Sequence, residues 1–212
     1  MISDWQKAEE EIKNQGYSVF QQSVLDFNHL AQSAIKMCKD ESYERGSVYR
    51  SHVSNFNNSE LAALIFSRPI FDIFNKDLCI PQDVFITHEF KNDMSRNNYL
   101  HFDRLRCLKV LVYLQDVDED NGPFSIVPKS HIKGAELRRS FSKLNDYEEK
   151  KNRIDIDYPE IKYDLKKILG PAGTTIIFDS DIFHCGGNVS QGRERLVIRS
   201  HWYKDYNWRV TS

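Results

Sequence analysis

The sequence has no apolar run approaching the roughly 18 residues that a membrane-spanning helix needs. It carries no excess of either charge, with 29 Lys and Arg against 31 Asp and Glu and a formal net charge of −2. A basic stripe for a nucleic-acid backbone is therefore excluded as the organising feature. The four cysteines, Cys38, Cys79, Cys107 and Cys185, are scattered with no CxxC pair. That spacing gives no disulfide framework and no zinc knuckle, and it fits reduced thiols in the cytoplasm. The first residues are acidic and amphipathic and have no signal-peptide core. There is no internal repeat, no low-complexity tract and no Pro/Gly/Ser linker, so residues 1–212 are read as one domain.

What the chain does have is a globular composition. Apolar residues make up 40% and charged residues 28%, with 13 Phe and 10 Tyr. That is enough for one sizeable core and too aromatic for a disordered chain. Ser3 can cap a helix running to about Asn14, with Gly16 as its stop. Gly16 to Phe20 reads as a short strand. Phe27 to Lys39 reads as a second helix, with Leu30, Ala34 and Met37 on one face. Leu61 to Asn75 is expected to be helical and broken near Pro69. Residues 1–80 are thus expected to be mostly helical support.

The texture changes after Pro81. Val84 to Phe90, Leu108 to Leu114, Phe124 to Val127, Thr174 to Phe178 and Leu196 to Tyr203 are strand-like, separated by the turn signals DNGP, GPAG and GGN. Residues 133–169 are highly charged and lie between two strands. Two readings stay open for them: a partly helical insertion or lid, and an ordinary solvated excursion. Helices first and many short strands afterwards predict a mainly β domain, a jelly-roll or barrel buttressed on one side by helices.

The strongest local pattern is His101-Phe102-Asp103. Read as a strand, its residues i and i+2 point to the same face, so an imidazole and a carboxylate converge. His184 follows 83 residues later, expected at the end of the strand Thr174 to Phe178. Two histidines and one carboxylate on one face of an octahedral metal leave positions open for an organic cosubstrate and O₂, the arrangement of non-haem Fe(II) oxygenases. Alone, the triplet is a weak signal, and the plainer reading is a surface His and Asp. The second histidine and an arginine at fitting distances give it weight. Arg195 lies 11 residues beyond His184, across a glycine-rich turn that returns the chain to the same neighbourhood. A planar guanidinium can grip the distal carboxylate of a dicarboxylic acid. Arg193 shares its strand parity and is the second choice.

These residues resemble the phytanoyl-CoA dioxygenase family over about Tyr99 to Trp202, in three blocks. They are LHFD at 100–103, KVLVYLQDVDEDNGPFSIVPKSH at 109–131, and GTTIIFDSDIFH at 173–184 with its continuation to Arg195. The resemblance implies a double-stranded β-helix of the cupin-like kind, and Fe(II), 2-oxoglutarate and O₂ as requirements. It implies His101, Asp103 and His184 as iron ligands and Arg195 as the cosubstrate's carboxylate partner. The cosubstrate would leave as succinate and CO₂, with a hydroxyl group delivered to the substrate. Related halogenases replace the aspartate by a small residue, so the retained Asp103 disfavours halogenation. Two positions depart from the pattern: Lys129 stands where the family usually has Gly, and Gly186 where relatives often carry Ser.

Strand parity extends the list. If Arg195 faces the barrel interior, so do Val197, Arg199, His201 and Tyr203, while Leu196, Ile198 and Trp202 face the helices. Arg199 and His201 then line a polar substrate pocket or belong to a hydrogen-bond network at the rim. Lys109 is a candidate second contact to 2-oxoglutarate, or an exposed lysine. Arg104 and Arg106 follow the metal motif and are candidates for an anionic substrate, or solvated. His131 is assigned to a structural turn and Cys185 to packing. The expected partner is a small polar or anionic metabolite, with no nucleic acid and no membrane and with the oligomeric state open. The competing reading is a cupin-type metal-binding protein or isomerase that needs no 2-oxoglutarate.

Overall fold

The computed structural model describes residues 4–22, 26–41, 43–45, 48–52, 80–89, 99–140 and 151–203. The helix expected at Leu61 to Asn75 lies outside them. Helix α1 (Asp4–Gln15) stops at Gly16, whose φ of 86° is the left-handed conformation a helix terminus favours. Strand β1 (Tyr17–Gln21) and helix α2 (Phe27–Glu41) follow as the sequence suggests. Among the described residues of the first 80, β2 (Tyr43–Arg45) and β3 (Val48–His52) are strands that the sequence did not suggest. Their sequences, YER and VYRSH, lack apolar alternation, which is the pattern of strands at the outer side of a sheet rather than its centre.

The remaining strands are β4 (Ile80–Glu89), β5 (Leu108–Tyr113), β6 (Phe124–Ile126), β7 (Lys166–Ile168), β8 (Thr174–Asp179), β9 (His184–Cys185) and β10 (Arg195–Tyr203). Helices α3 (His131–Ser140) and the single turn α4 (Ile154–Asp157) lie between β6 and β7. Two antiparallel sheets result, one of seven strands in the order β1-β8-β5-β10-β4-β3-β2 and one of three in the order β7-β6-β9. The segment 133–169 is therefore not uniform: its start is α3 and its end, β7, is hydrogen-bonded into the smaller sheet.

The period of two along the central strands divides the core. Val110, Val112, Ile177, Leu196, Ile198 and Trp202 pack against Ala8, Leu30 and Ala34 of the helices. The opposite face, with Leu111, Tyr113, Ile176, Phe178 and Val197, meets Phe124, Ile126 and Ile168 of the smaller sheet. Helices on one face and a second sheet on the other make the expected jelly-roll. The interior between the sheets is where β10, β5 and β4 present their polar residues. No helix among the described residues is long and apolar enough to cross a membrane.

Candidate metal and cosubstrate site

A third cluster fixes the metal motif. Leu100 and Phe102 are buried beside Val127, Ile154, Phe183 and Cys185. Because the chain alternates, the residues between them, His101 and Asp103, are turned the other way. The segment carrying His184 behaves likewise, with Phe183 and Cys185 on the apolar side. The two segments meet at one antiparallel bridge: His101 N–H donates to the His184 carbonyl at 3.0 Å, and His184 N–H to the His101 carbonyl at 2.8 Å. A pair that exchanges both backbone bonds places its side chains side by side. The imidazole centroids are accordingly 4.4 Å apart.

Two expectations change here. His101-Phe102-Asp103 is not part of a regular strand; it is extended chain pinned by this bridge and by hydrogen bonds from Phe102 to Asn152 and from Asp103 to Ser180. His184 does not end β8. The chain leaves β8 in a tight turn, with Asp181 N–H on the Asp179 carboxylate at 3.0 Å, and enters β9 in the other sheet. An Asp side chain bonding the backbone two residues on is a turn signal that the sequence carried.

The donor atoms face one point. Asp103 Oδ1 lies 3.9 Å from His101 Nε2 and 3.9 Å from His184 Nε2. One ligand atom from each of the three residues lies within 4.8 Å of the others. Each imidazole donates its Nδ1 proton to a carbonyl, His101 to Tyr99 at 3.0 Å and His184 to Ile182 at 2.8 Å. A carbonyl can only accept, so Nε2 is left with a bare lone pair, the form that binds a metal. His184 is wedged against Phe178 and Phe124, with centroids 5.0 and 5.7 Å away. Burial, with His101 beside it, lowers its pKa to about 3. Burial likewise lowers that of His101. Burial alone would raise the Asp103 carboxyl, but Lys109, His184 and His101 together outweigh it and hold it well below the usual carboxylate range. Two neutral imidazoles and one carboxylate are a donor set suited to Fe(II).

The depressed histidines have a consequence for the metal-free protein. Below pH 6.5 the unfolded chain takes up a proton at His184 that the folded chain refuses until about pH 3. Protons then favour the unfolded state, so stability falls as pH falls, by about 1.4 kcal/mol per unit for one such group. Urea midpoints of metal-free protein should decline steadily from pH 6.5 towards 4.5; a flat profile over that window would contradict the burial described here.

Lys109 points into the site, but its partner is Asp103. Its Nζ is 2.5 Å from Asp103 Oδ2, the oxygen other than the one facing both histidines. Arg195 is buried at the head of β10. Its Nη1 donates to the Gly122 carbonyl and its Nη2 to Glu89, while Nε has no hydrogen-bond partner among the described residues. Glu89 was not anticipated from the sequence. It is the residue directly across from Arg195 on β4, and register between distant strands is not written in local sequence. Arg193 is instead paired with Asp118 at the surface.

Of the substrate-side candidates, Arg199 lies over the Phe85 ring at 4.1 Å and His201 meets the same ring edge-on at 5.7 Å. His201 is also across from Lys109 in register. Arg104 is half-buried in the bend after Asp103. Arg106 is engaged elsewhere, with Asp179 at 2.9 Å and Asp181 at 3.4 Å, which fits a structural tie better than a substrate contact. Cys185 packs as expected, and burial pushes its thiol up to about 11. His131 is the first residue of α3. Lys129, where a glycine was expected, has φ 66°, the region glycine adopts without strain.

Comparison with known proteins agrees with this geometry. Residues 6–197 match the family described as phytanoyl-CoA dioxygenase (PhyH). The chain belongs to the phytanoyl-CoA dioxygenase family, a class of 2-oxoglutarate-dependent non-haem iron enzymes. A search of curated proteins gave no match. Among solved structures, the chain is similar to the epimerase SnoN in complex with Fe3+, alpha ketoglutarate and nogalamycin RO. That match has a TM-score of 0.70 and 16% identity and covers 93% of this chain and 82% of that one. HygX from Streptomyces hygroscopicus, with nickel, 2-oxoglutarate and hygromycin B bound, matches with a TM-score of 0.66 and 13% identity over 94% of this chain and 87% of its own. EctD from S. alaskensis matches with a TM-score of 0.66 and 16% identity over 95% and 76%. At these identities the structures establish the shared fold.

Proposed function

We propose that the protein hydroxylates a small polar or anionic metabolite, consuming 2-oxoglutarate and O₂ and releasing succinate and CO₂. One oxygen atom goes to the substrate and the other to succinate. The observation that carries this reading is the convergence of His101 Nε2, His184 Nε2 and Asp103 Oδ1 on one point, with a buried arginine in the same interior. Iron(II), when bound, supplies open coordination positions for cosubstrate and O₂ and the redox chemistry of the reaction.

The chain's own residues do the rest. His101, His184 and Asp103 would hold the metal. Lys109 takes up Asp103 Oδ2, which would leave Oδ1, the oxygen facing both histidines, to bind a metal and would hold the carboxylate in a single orientation. Phe124 and Phe178 pack against His184 and keep water from that side. Arg195 receives the distal carboxylate of 2-oxoglutarate. Arg199 and His201 give the remaining wall a cationic and polar character, which suits an anionic or polar substrate better than a bare hydrocarbon.

Purified, iron-loaded protein should form succinate from 2-oxoglutarate, faster with a true substrate, and His101→Ala protein should form none. Absence of both 2-oxoglutarate binding and turnover with every metabolite class tried would sink the reading. Unchanged 2-oxoglutarate affinity in Arg195→Gln protein would favour a cupin-type metal protein that does not use this cosubstrate.

A further inference from the structure

Arg195 is not waiting with an open guanidinium. Glu89, the last residue of β4, stands directly across from it, and the two side chains are 14% and 8% exposed respectively. A carboxylate that grips a guanidinium side-on uses two neighbouring donors, and the Nε and Nη2 groups form such an edge. Here Nη2 donates to Glu89 and Nη1 to the Gly122 carbonyl, while Nε is buried with no hydrogen-bond partner among the described residues. Half of the edge is taken by the chain itself and half is unfilled.

An arriving dicarboxylic acid cannot complete a bidentate contact on that edge while Glu89 holds Nη2. Nor can two carboxylates share one buried guanidinium without mutual repulsion. The neighbouring acid, Glu194, is already engaged with His88 at 2.7 Å. Glu89 is the more exposed of the pair and sits at a strand end, so it can leave towards solvent while Arg195 stays.

We propose that Glu89 is an internal competitor for the cosubstrate: it caps Arg195, is displaced by the distal carboxylate of 2-oxoglutarate, and thereby sets how tightly 2-oxoglutarate is held. This rests on the assignment of Arg195 to 2-oxoglutarate. It separates Glu89 from a residue that merely orients the arginine, because the two roles predict opposite signs.

The test is calorimetric titration of 2-oxoglutarate into anaerobic, iron(II)-loaded protein. Glu89→Gln keeps the shape and an acceptor oxygen but removes the charge. Its Kd should fall about tenfold, equivalent to about 1.4 kcal/mol. Glu89→Asp, which withdraws the carboxylate by one methylene, should shift in the same direction and serves if the glutamine variant does not fold. Arg195→Gln should weaken binding strongly, and adding Glu89→Gln to it should give no tightening. Unchanged or weaker binding in both Glu89 variants, with Arg195→Gln still impaired, overturns the competitor role alone. Normal binding in Arg195→Gln protein overturns the underlying assignment as well.

Discussion

His184→Ala protein is expected to lose at least a hundredfold in metal affinity and all measurable turnover, while still folding. Substituting a residue that merely supports a metal ligand costs about 10–100-fold in affinity, and His184 is proposed as a ligand itself. The fold should survive because the bridge joining the two ligand segments is made by backbone groups, at 3.0 and 2.8 Å, and needs no imidazole. The side chain is nonetheless buried among Phe178, Phe124 and His101. Truncation leaves a cavity and should cost about 2–4 kcal/mol at neutral pH, within the range for large buried side chains. Below pH 6.5 part of that deficit should disappear, since the variant no longer carries an imidazole that resists protonation. The measurements are a competition titration against a coloured chelator and thermal melts with and without metal. Wild-type protein should gain stability on adding metal and the variant should not. Retention of wild-type metal affinity would remove His184 from the ligand set.

What the sequence made legible follows from where the determining contacts lie. Alternation is local, so the opposed faces of β10 could be read directly: Leu196, Ile198 and Trp202 do meet the helices, and Arg195 and Val197 are buried with the interior. The same periodicity brought His101 and Asp103 to one side even though the chain there is not a strand. Pairing is not local. That His101 and His184 form one hydrogen-bonded bridge depends on two segments 83 residues apart in the sequence, and no spacing rule announces it. Glu89 and Lys109 illustrate the same limit. Glu89 lies opposite Arg195 through the β4–β10 register, and Lys109 reaches Asp103 across the site rather than along its own strand. The short strands β2 and β3 were missed for a different reason: they lack an alternating apolar face. Lys129 shows a family departure acquiring physical content, since φ of 66° is the conformation that makes glycine the common choice there.

The turn that delivers His184 is expected to be the most stability-sensitive polar feature of the described chain, and Asp181→Ala should cost about 3–5 kcal/mol. Asp181 is 0% exposed, and its carboxylate accepts from Arg138 Nε at 2.6 Å and Nη2 at 3.1 Å. Burial pushes its carboxyl up, and Arg138 and Arg106 draw it back. Arg138 comes from α3 and is itself buried, so deleting the carboxylate removes two charge-assisted hydrogen bonds from a guanidinium held away from water. Removing one partner of a buried pair is costly for that reason, although replacing both by apolar side chains often is not. Arg138→Met combined with Asp181→Leu should therefore be milder than the sum of the single substitutions. The seating of α3 on this turn is already tight, since a Cβ at Gly134 would lie 1.8 Å from the Asp181 carbonyl oxygen. The backbone has little room to follow the lost contact except by moving residues 179–184, and with them the His184 imidazole. Urea unfolding should show the lower midpoint, and the same protein should bind metal more weakly although no ligand has been changed. A loss below about 1 kcal/mol with unaltered metal affinity would mean that the pair neither anchors the turn nor positions the histidine.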